Sequence, residues 1–426
     1  MPSPFDLIIA PITAVGGAVG VLRISGKGAW NLAGQLFTPW PENPKPRHSY
    51  YGKFSNGDDG LLVLFENERS YTGEECVEMS IHGSLASVTS LLELGYQAGA
   101  RMADPGEFSL RAFLNGRIDL AQAEGVRDTV NAVTLKQLQM ATRHRTGHLS
   151  TALSAIRDQV RLVLTTIEAQ VDFSEELGPL DREGLSADLQ RAISELAQLE
   201  RTGVAGRMIR NGFRVAIVGP PNAGKSSLLN AILGTERAIV TPIAGTTRDT
   251  LEESIDYKGI RITFIDTAGL RETTDPIEQM GIRRTHETIS NADAVWHVFD
   301  ATQSPPSPPL DKTVILVANK SDLATPQTGT SVSAKTGTGI AELLEKTIPP
   351  ELTLSAELLV NERHAILIGL AQISLKEALS ILQQDLPPDL LSVHLNNAMD
   401  ELGQITGETV REDTLTNIFK TFCVGK

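Results

Sequence analysis

The chain has 426 residues, enough at roughly 150 residues per domain for about three domains. With 41% hydrophobic, 21% charged and 5% aromatic residues it can fill buried cores, which excludes wholesale disorder and a peptide-sized scaffold. Its 38 basic and 52 acidic side chains leave a formal charge of −14, which excludes gripping nucleic acid by bulk charge; an RNA substrate needs a local cationic patch or a basic partner.

Two cysteines, Cys76 and Cys423, cannot make a disulfide framework or a multi-cysteine zinc site and fit a reducing cytosol. No apolar run reaches the roughly 18 residues of a membrane span, and Asp6 with no basic residue before Arg23 is unlike a signal peptide. The expectation is a cytoplasmic protein that does not enter a membrane.

In chain order, glycine-rich turns first separate strand-like pieces at Leu7 to Ala10, Val19 to Ile24, Leu61 to Phe65 and Val77 to Ile81, which predicts an α+β domain over 1–117. Gly16, Gly17 and Gly20 follow the first of these, but their spacing and the lack of a following helix pattern favour a tight turn over a dinucleotide fingerprint. From about Asp119 glycine becomes sparse, and Leu153, Ile156, Val160, Val163, Ile167 and Val171 recur at three- and four-residue intervals, which predicts long amphipathic helices over 118–210. The basic Arg143-His144-Arg145, with His148 behind, reads either as a solvated helix face or as a tRNA contact.

Over 211–350 short β-branched runs alternate with helical stretches: Arg214 to Val218, Thr263 to Ile265, Val295 to Phe299, Val314 to Ala318 and Ser331 to Ser333. This pattern is that of a doubly wound α/β domain. Pro305, Pro306, Pro308 and Pro309 make Ala301 to Lys312 a non-helical loop. Helical texture returns over 351–426, with Ile368, Ala371, Leu375, Leu379 and Leu382 on one stripe, so the α/β domain is inserted into a helical domain made from both flanks.

The chemistry is densest in the inserted domain. Gly219-Pro220-Pro221-Asn222-Ala223-Gly224-Lys225-Ser226, followed by Ser227, lies between a strand and the helical Leu228 to Leu233, the context of a P-loop. Its glycines let backbone N–H groups face phosphates, Lys225 reaches the outer phosphates, and the Ser226 hydroxyl is placed for Mg²⁺. Asp266-Thr267-Ala268-Gly269 closes a later strand, where the aspartate holds metal through water and the glycine N–H senses the terminal phosphate. Asn319-Lys320-Ser321-Asp322 offers a carboxylate to the ring N–H and exocyclic amine of guanine, a donor pair adenine lacks. Ser333-Ala334-Lys335 then puts a backbone N–H near the guanine carbonyl. Gly245-Thr246-Thr247-Arg248-Asp249 reads as a switch segment, with Thr247 as a second Mg²⁺ ligand. Four motifs in this order resemble the GTPase superfamily. Leu270 stands where Ras-like members carry the water-orienting glutamine, so another residue must place the water.

The whole chain resembles the MnmE (TrmE) tRNA modification GTPases. Outside the GTPase motifs the resemblance rests on Gly20-Val21-Leu22-Arg23-Ile24-Ser25-Gly26, Ser70-Tyr71-Thr72-Gly73-Glu74, His82-Gly83, Pro105-Gly106-Glu107-Phe108-Ser109 and Arg111-Ala112-Phe113-Leu114-Asn115-Gly116. Asp119-Leu120-Ala121-Gln122-Ala123-Glu124, Gly403-Gln404-Ile405-Thr406-Gly407 and the terminal Phe422-Cys423-Val424-Gly425-Lys426 complete it. The resemblance implies a potassium-dependent GTPase, homodimeric through its amino-terminal domain. It also implies an FAD-dependent partner, forming a heterotetramer, with which the enzyme puts an aminomethyl or carboxymethylaminomethyl group on C5 of the wobble uridine of tRNA. The resemblance implies a tetrahydrofolate as one-carbon donor, with 5-formyltetrahydrofolate or methylenetetrahydrofolate as the ligand form.

Carried onto this chain, the resemblance gives Asn222 and Thr246, with backbone oxygens of Thr241 and Ile243, to K⁺, and Glu278 to orienting the attacking water. It gives Arg23, Glu78, Arg117 and Lys426 to folate; Arg117 stands where the family carries lysine. Cys423 is either a reactive thiol in the modification chemistry or a small buried hydrophobe, and Cys76 is expected in the core. The competing reading is a GTPase switch controlling RNA or ribosome assembly without base modification.

Overall fold

Alternation of side chains builds the first sheet: in Val19–Ser25 the residues Leu22 and Ile24 are fully buried while Val21 and Arg23 face the other way. The computed structural model describes residues 6–173, 176, 178–239, 252–266, 289–305, 314–353, 358–384, 386–387 and 389–426. The chain divides into two units, one of Met1–Val130, Thr142–Ile193 and Leu370–Lys426, the other of Asn131–Ala141 and Ser194–Gly369.

In the first unit, β1 (Ile8–Pro11), β2 (Val19–Ser25), β3 (Phe37–Thr38), β4 (Ser49–Phe54), β5 (Asp59–Phe65), β6 (Cys76–His82) and β7 (Arg101–Met102) form a sheet of order β3-β4-β5-β6-β2-β1-β7. Pairing is antiparallel except between β1 and β7. One face is covered by helices Ala29–Leu36 and Leu85–Gln97, whose Leu32, Ala33, Val88 and Leu91 pack on Ile9, Leu22, Ile24, Leu62 and Met79. The turn after β1 is tight, as the spacing of its glycines predicts. Gly16 takes φ +100° and its N–H bonds the Gly83 carbonyl at 2.8 Å, while a Cβ on Gly83 would stand 2.4 Å from the Gly17 carbonyl oxygen. The expected Cys76 core position is found: it is 1% exposed.

The amino-terminal motifs meet in a buried ionic cluster. Arg111, 2% exposed, donates to the Asp6 carbonyl (2.8 Å) and to the carboxylates of Asp6 (2.8 Å), Glu107 (2.9 Å) and Glu74 (3.2 Å). Arg101 adds bonds of 2.6 Å to both Asp6 and Glu107. Burial alone would raise the Glu107 carboxyl, but the two guanidinium groups and the Asp104 N–H overcome it and hold it below its ordinary value.

Helices His148–Asp172 and Asp389–Thr406 pack together through Leu153, Ile156, Val160 and Val163 of the first and Leu395, Ala398, Leu402 and Ile405 of the second, all buried. Two positions depart from the expected stripes. Val171 is 47% exposed because its helix ends at Asp172, and Leu379 is half-buried because the small Ala378, 0% exposed, occupies the contact instead. Helix Glu362–Gln383 is long and apolar enough to cross a membrane, with a mean hydropathy of 1.6. An unbroken-run criterion misses it because Gln372, Ser374, Lys376 and Glu377 interrupt the apolar residues. It buries Ile368, Ala371, Leu375, Ala378 and Leu382 along one stripe, while Ile366, Leu370 and Ile373 are exposed.

In the second unit, β8 (Phe213–Val218), β9 (Arg237–Ala238), β10 (Glu252–Tyr257), β11 (Ile260–Asp266), β12 (Ala294–Asp300), β13 (Val314–Asn319) and β14 (Thr330–Ser331) form a sheet of order β14-β13-β12-β8-β11-β10-β9. The five expected strands are present, parallel from β14 to β11, with Ser333 lying past the end of β14. β10 and β9 extend the sheet antiparallel; the acidic, alternating Glu252–Tyr257 lacks the continuous apolar run of a strand covered on both faces. Ala294, Trp296 and Val298 face helices Lys225–Thr235 and Ile340–Thr347 in one core, and Val295 with Ala216 face Ile289 and Ala292 in another. Of the proline loop, 301–305 is turn and coil and 306–313 lies outside the described residues.

Helix Gly203–Asn211 is pressed against the chain at Val360, where a Cβ on Gly206 would stand 1.9 Å from the carbonyl oxygen. Gly206→Ala is therefore expected to destabilise this unit by about 2–3 kcal/mol. Gly234→Ala, with nothing within 4 Å of the added carbon, should stabilise by a few tenths to about 1 kcal/mol. Denaturant unfolding followed by tryptophan fluorescence, with Trp296 in the core, measures both.

Candidate functional site

The P-loop hangs from the end of β8 and opens the helix Lys225–Thr235. Its glycines are sterically required. A Cβ on Gly219 (φ +146°) would lie 2.0 Å from the Val298 carbonyl oxygen, and one on Gly224 (φ +87°) 2.3 Å from the Asn319 amide nitrogen. Asn222 between them takes φ +62°, which asparagine tolerates. No side chain caps the helix at Gly224, so its first N–H groups and positive dipole end suit a phosphate. The Lys225 ammonium folds across the loop onto the carbonyls of Gly219 (2.7 Å) and Pro220 (3.0 Å); Ser226 and Ser227 are exposed in the first helical turn.

Asn319, 1% exposed at the end of β13, ties three motifs together. Its amide N–H groups donate to the carbonyls of Ala223 (3.0 Å) and Gly224 (3.3 Å), and its oxygen accepts the N–H of Lys320 (2.8 Å) and Ala334 (3.1 Å). Asp322 is exposed and held by the Ser333 hydroxyl at 2.7 Å, an outward carboxylate fixed for recognition. Lys335 is exposed beside Ala334. Lys320, at φ +63°, pairs with Asp300 at 2.7 Å. That bond, with Thr302 donors, pulls the Asp300 carboxyl down to about 2. Asp300 was not singled out from sequence; its place at a strand end beside the motif lysine is a tertiary fact. His297 on β12 is likewise unforeseen: burial and the Lys225 charge hold its imidazole below its ordinary value, and so neutral.

Asp266 ends β11 opposite Ile217 of β8, which brings its backbone to the same edge of the sheet as the P-loop. Thr241, Ile243, Thr246, Thr247, Thr267, Ala268, Gly269 and Glu278 lie outside the described residues, as do the rest of 245–249 and Leu270.

In the first unit the structure pairs two of the other predicted residues. Register places Arg23 of β2 beside Glu78 of β6, and the guanidinium donates to the carboxylate at 2.7 and 3.0 Å. It also lies over the rings of Tyr71 (4.9 Å) and Phe108 (5.3 Å), neither singled out by its own chemistry in sequence. Lys426 is half-buried, and its amine is held below its ordinary value by burial and by Arg23, against the opposing charges of Glu78 and Cys423. Cys423 is exposed, which removes the reading of a buried hydrophobe. Arg117 packs by its stem against Gly73, next but one to Tyr71. Of the basic cluster, His144 is buried while Arg143, Arg145 and His148 are exposed.

The family description "GTP-binding protein TrmE N-terminus" matches residues 7–117, and "MnmE helical domain" matches 120–423. The chain belongs to the MnmE family of tRNA modification GTPases. It is 39% identical to the tRNA modification GTPase MnmE of Aquifex aeolicus over 98% of this chain and 99% of that protein. It is 40% identical to that of Akkermansia muciniphila over the full length of both. Among solved structures, the G domain of the T. maritima FeoB iron transporter is 30% identical over 32% of this chain and 96% of that one, at a TM-score of 0.24, too low to add weight. The protein is thus a GTP hydrolase acting in tRNA modification, with the amino-terminal, helical and P-loop parts expected of the family.

Asn319→Ala should lower GTP affinity at least a hundredfold by freeing three motifs at once, and Asp322→Ala should erase the preference for GTP over ATP; nucleotide titration measures both. A pH effect follows in the first unit. Burial pushes the Asp128 carboxyl up to about 6, Glu124 adding to the shift and Arg127 opposing it. The folded chain therefore keeps a proton that the unfolded chain, at about 3.9, gives up, so stability from this group falls as pH rises from about 4 to 6. Asp128→Asn should flatten that slope in denaturation midpoints taken across this range.

Proposed function

We propose that the protein is a potassium-dependent GTPase that, with an FAD-dependent partner, installs an aminomethyl or carboxymethylaminomethyl group on C5 of the tRNA wobble uridine, taking the one-carbon unit from a tetrahydrofolate. Belonging to the family supports the reaction class. The observation that carries the finer reading is the Arg23–Glu78 pair on β2 and β6, with the segment of exposed Cys423 and Lys426 tied by Gly425 to Pro11 of neighbouring β1.

At the nucleotide, the loop N–H groups and Lys225 take the phosphates, and Asp322 accepts the two guanine N–H donors. Glu278 holds the attacking water by accepting its hydrogen bond, the task Leu270 cannot perform. The exposed Ser226 hydroxyl in the first helical turn fits a Mg²⁺ ligand, with Thr247 as the second, and the exposed Asn222 of the loop fits a K⁺ ligand, with Thr246 and the Thr241 and Ile243 carbonyls. When bound, these cations supply the positive charge that phosphoryl transfer requires. The remaining assigned positions, Ala223, Gly224, Ser227, Asp266 to Gly269, Asn319, Lys320 and Ser333 to Lys335, complete the nucleotide site.

The modification centre is proposed where Arg23 and Glu78 are paired. Glu78 suits the donor edge of a pterin, Arg23, Arg117 and Lys426 suit carboxylates, and the Tyr71 and Phe108 rings back the Arg23 guanidinium. A homodimer through 1–117 is supported by the uncovered face of β4 and β5, where Tyr51 (70% exposed) pairs in register with Leu61 (43%). The division 1–117, 118–210, 211–350 and 351–426, and a cytoplasmic location, belong to the same proposal.

GTP turnover is expected to be at least tenfold faster in K⁺ than in Na⁺, and Glu278→Ala to lower kcat by about a hundredfold or more with little change in nucleotide affinity. Equal rates in the two salts would remove the cation site. Calorimetric titration with 5-formyltetrahydrofolate should show binding that Arg23→Ala abolishes. Nucleoside mass spectrometry of tRNA from cells lacking the protein should show the wobble modification lost, and restored on complementation. Unchanged tRNA would favour the GTPase switch without base chemistry.

A further inference from the structure

The segment that carries the exposed thiol is held at three points, although chain ends ordinarily fray unless they are tied down. Behind Cys423, Phe419 and Phe422 pack with Leu120 and Ala123 in a small core. At Cys423 the carbonyl accepts the N–H of Gly106 at 3.3 Å. Beyond it, Gly425 turns at φ +94° so close to β1 that a Cβ would stand 2.2 Å from the Pro11 carbonyl oxygen. The Cys423 carbonyl also takes the Lys426 N–H at 3.3 Å, which closes the segment on itself.

One side chain of helix Leu120–Asn131 reaches this segment with directed bonds. Arg127 donates to the Thr421 hydroxyl at 2.8 Å and lies over the Phe422 ring at 5.6 Å. Its other nitrogens, Nε and one terminal nitrogen, both donate to one Asp128 oxygen at 3.0 Å. Arg127 and Asp128 side chains are each 12% exposed, so the fork is aimed by a neighbour that is itself nearly buried. A planar guanidinium can bridge a carboxylate and a hydroxyl in this way; an ammonium of similar reach offers no such fork. None of the quoted motifs includes Arg127, and none of the assigned steps uses it.

We propose that Arg127 is a positioning residue for the tRNA modification reaction: by fixing Thr421 and Phe422 it holds the Cys423 thiol beside Lys426 and the Arg23–Glu78 pair. The inference rests on the reading of that cluster as the modification centre. The Gly106 and Lys426 bonds fix the backbone at and after Cys423, and Arg127 adds the directed bond that fixes the stretch leading into it.

The test uses the full-length protein with the rate of Cys423 alkylation by iodoacetamide, read by mass spectrometry of the carboxyl-terminal peptide; buried Cys76 is the internal control. In the native chain the held thiol, exposed beside Lys426, should react at a rate differing at least about fivefold from that in a free peptide of the last eight residues. Arg127→Gln should move the rate at least twofold toward that of the peptide, the other anchors remaining, and lower wobble-uridine modification in complemented cells at least tenfold. Arg127→Lys should recover only part of either. Thr421→Val, which leaves the Arg127–Asp128 pair intact, should move both readouts the same way and answers for any folding defect of the first variant. A native alkylation rate in both Arg127→Gln and Thr421→Val would overturn the proposal while leaving the GTPase and folate readings untouched. Full modification by Cys423→Ser would overturn it together with the thiol's part in the reaction, whereas absent folate binding would count against the centre itself.

Discussion

The nucleotide site depends on one buried amide. Asn319 has two donors and room for two accepted bonds, and all four positions are used: two on the P-loop, one on its own following residue and one on the loop after the last strand. Each bond is modest alone, but a fully satisfied network in a dry setting fixes the relative places of segments that are otherwise separate loops. The amide and Gly224 also require each other, since any side chain at 224 would occupy the space of the amide nitrogen. The spacing between phosphate and base recognition is thus set inside the protein before any nucleotide arrives, which lowers the ordering cost of binding.

The terminal thiol is treated by similar means. There too a glycine lets backbone come within contact of a neighbouring carbonyl, and a nearly buried polar side chain, Arg127, reaches across to set the segment's course. In both places the group proposed to recognise or react, the Asp322 carboxylate or the Cys423 thiol, stays exposed while what holds it is buried. Exposed chemistry on a buried frame is what a site serving large or soluble substrates needs: access for the ligand without freedom for the side chain.

How much of this could be read beforehand divides along contact distance. The P-loop, the guanine motif and the strands that carry them are local patterns, in which glycine positions and apolar runs act within a few residues. β10 escaped because Glu252–Tyr257 satisfies its ladder with alternating rather than continuous apolar residues, and β9 because two residues carry no pattern at all. The place of Arg23, Glu78 and Lys426 in one cluster could be expected only through resemblance. Their chemistry is generic, and Arg23 and Glu78 are 55 residues apart. Asp300, Arg127 and the stacked Tyr71 and Phe108 were beyond reach for the same reason: Arg127 meets Thr421 across 294 residues. Helix stripes were legible to within one position, and the errors at Val171 and Leu379 came from where a helix stops and from alanine taking a contact in place of leucine.

The ionic cluster around Arg111 has a consequence for how this sequence can drift. Asp6, Glu74, Glu107 and Arg101 each satisfy part of one guanidinium or its partners, and they come from four separate stretches of the amino-terminal domain. Loss of the buried Arg111 leaves three carboxylates facing one part-exposed guanidinium, a defect of about 3–5 kcal/mol, whereas exchanging the group as a whole for apolar residues of matching volume can be nearly neutral. Substitution of Arg111 alone is therefore the most disfavoured step, while concerted change is open. Across descendants of this chain the five residues should be inherited as a block or replaced as a block, a signature of shared history that individual motif matching would overlook.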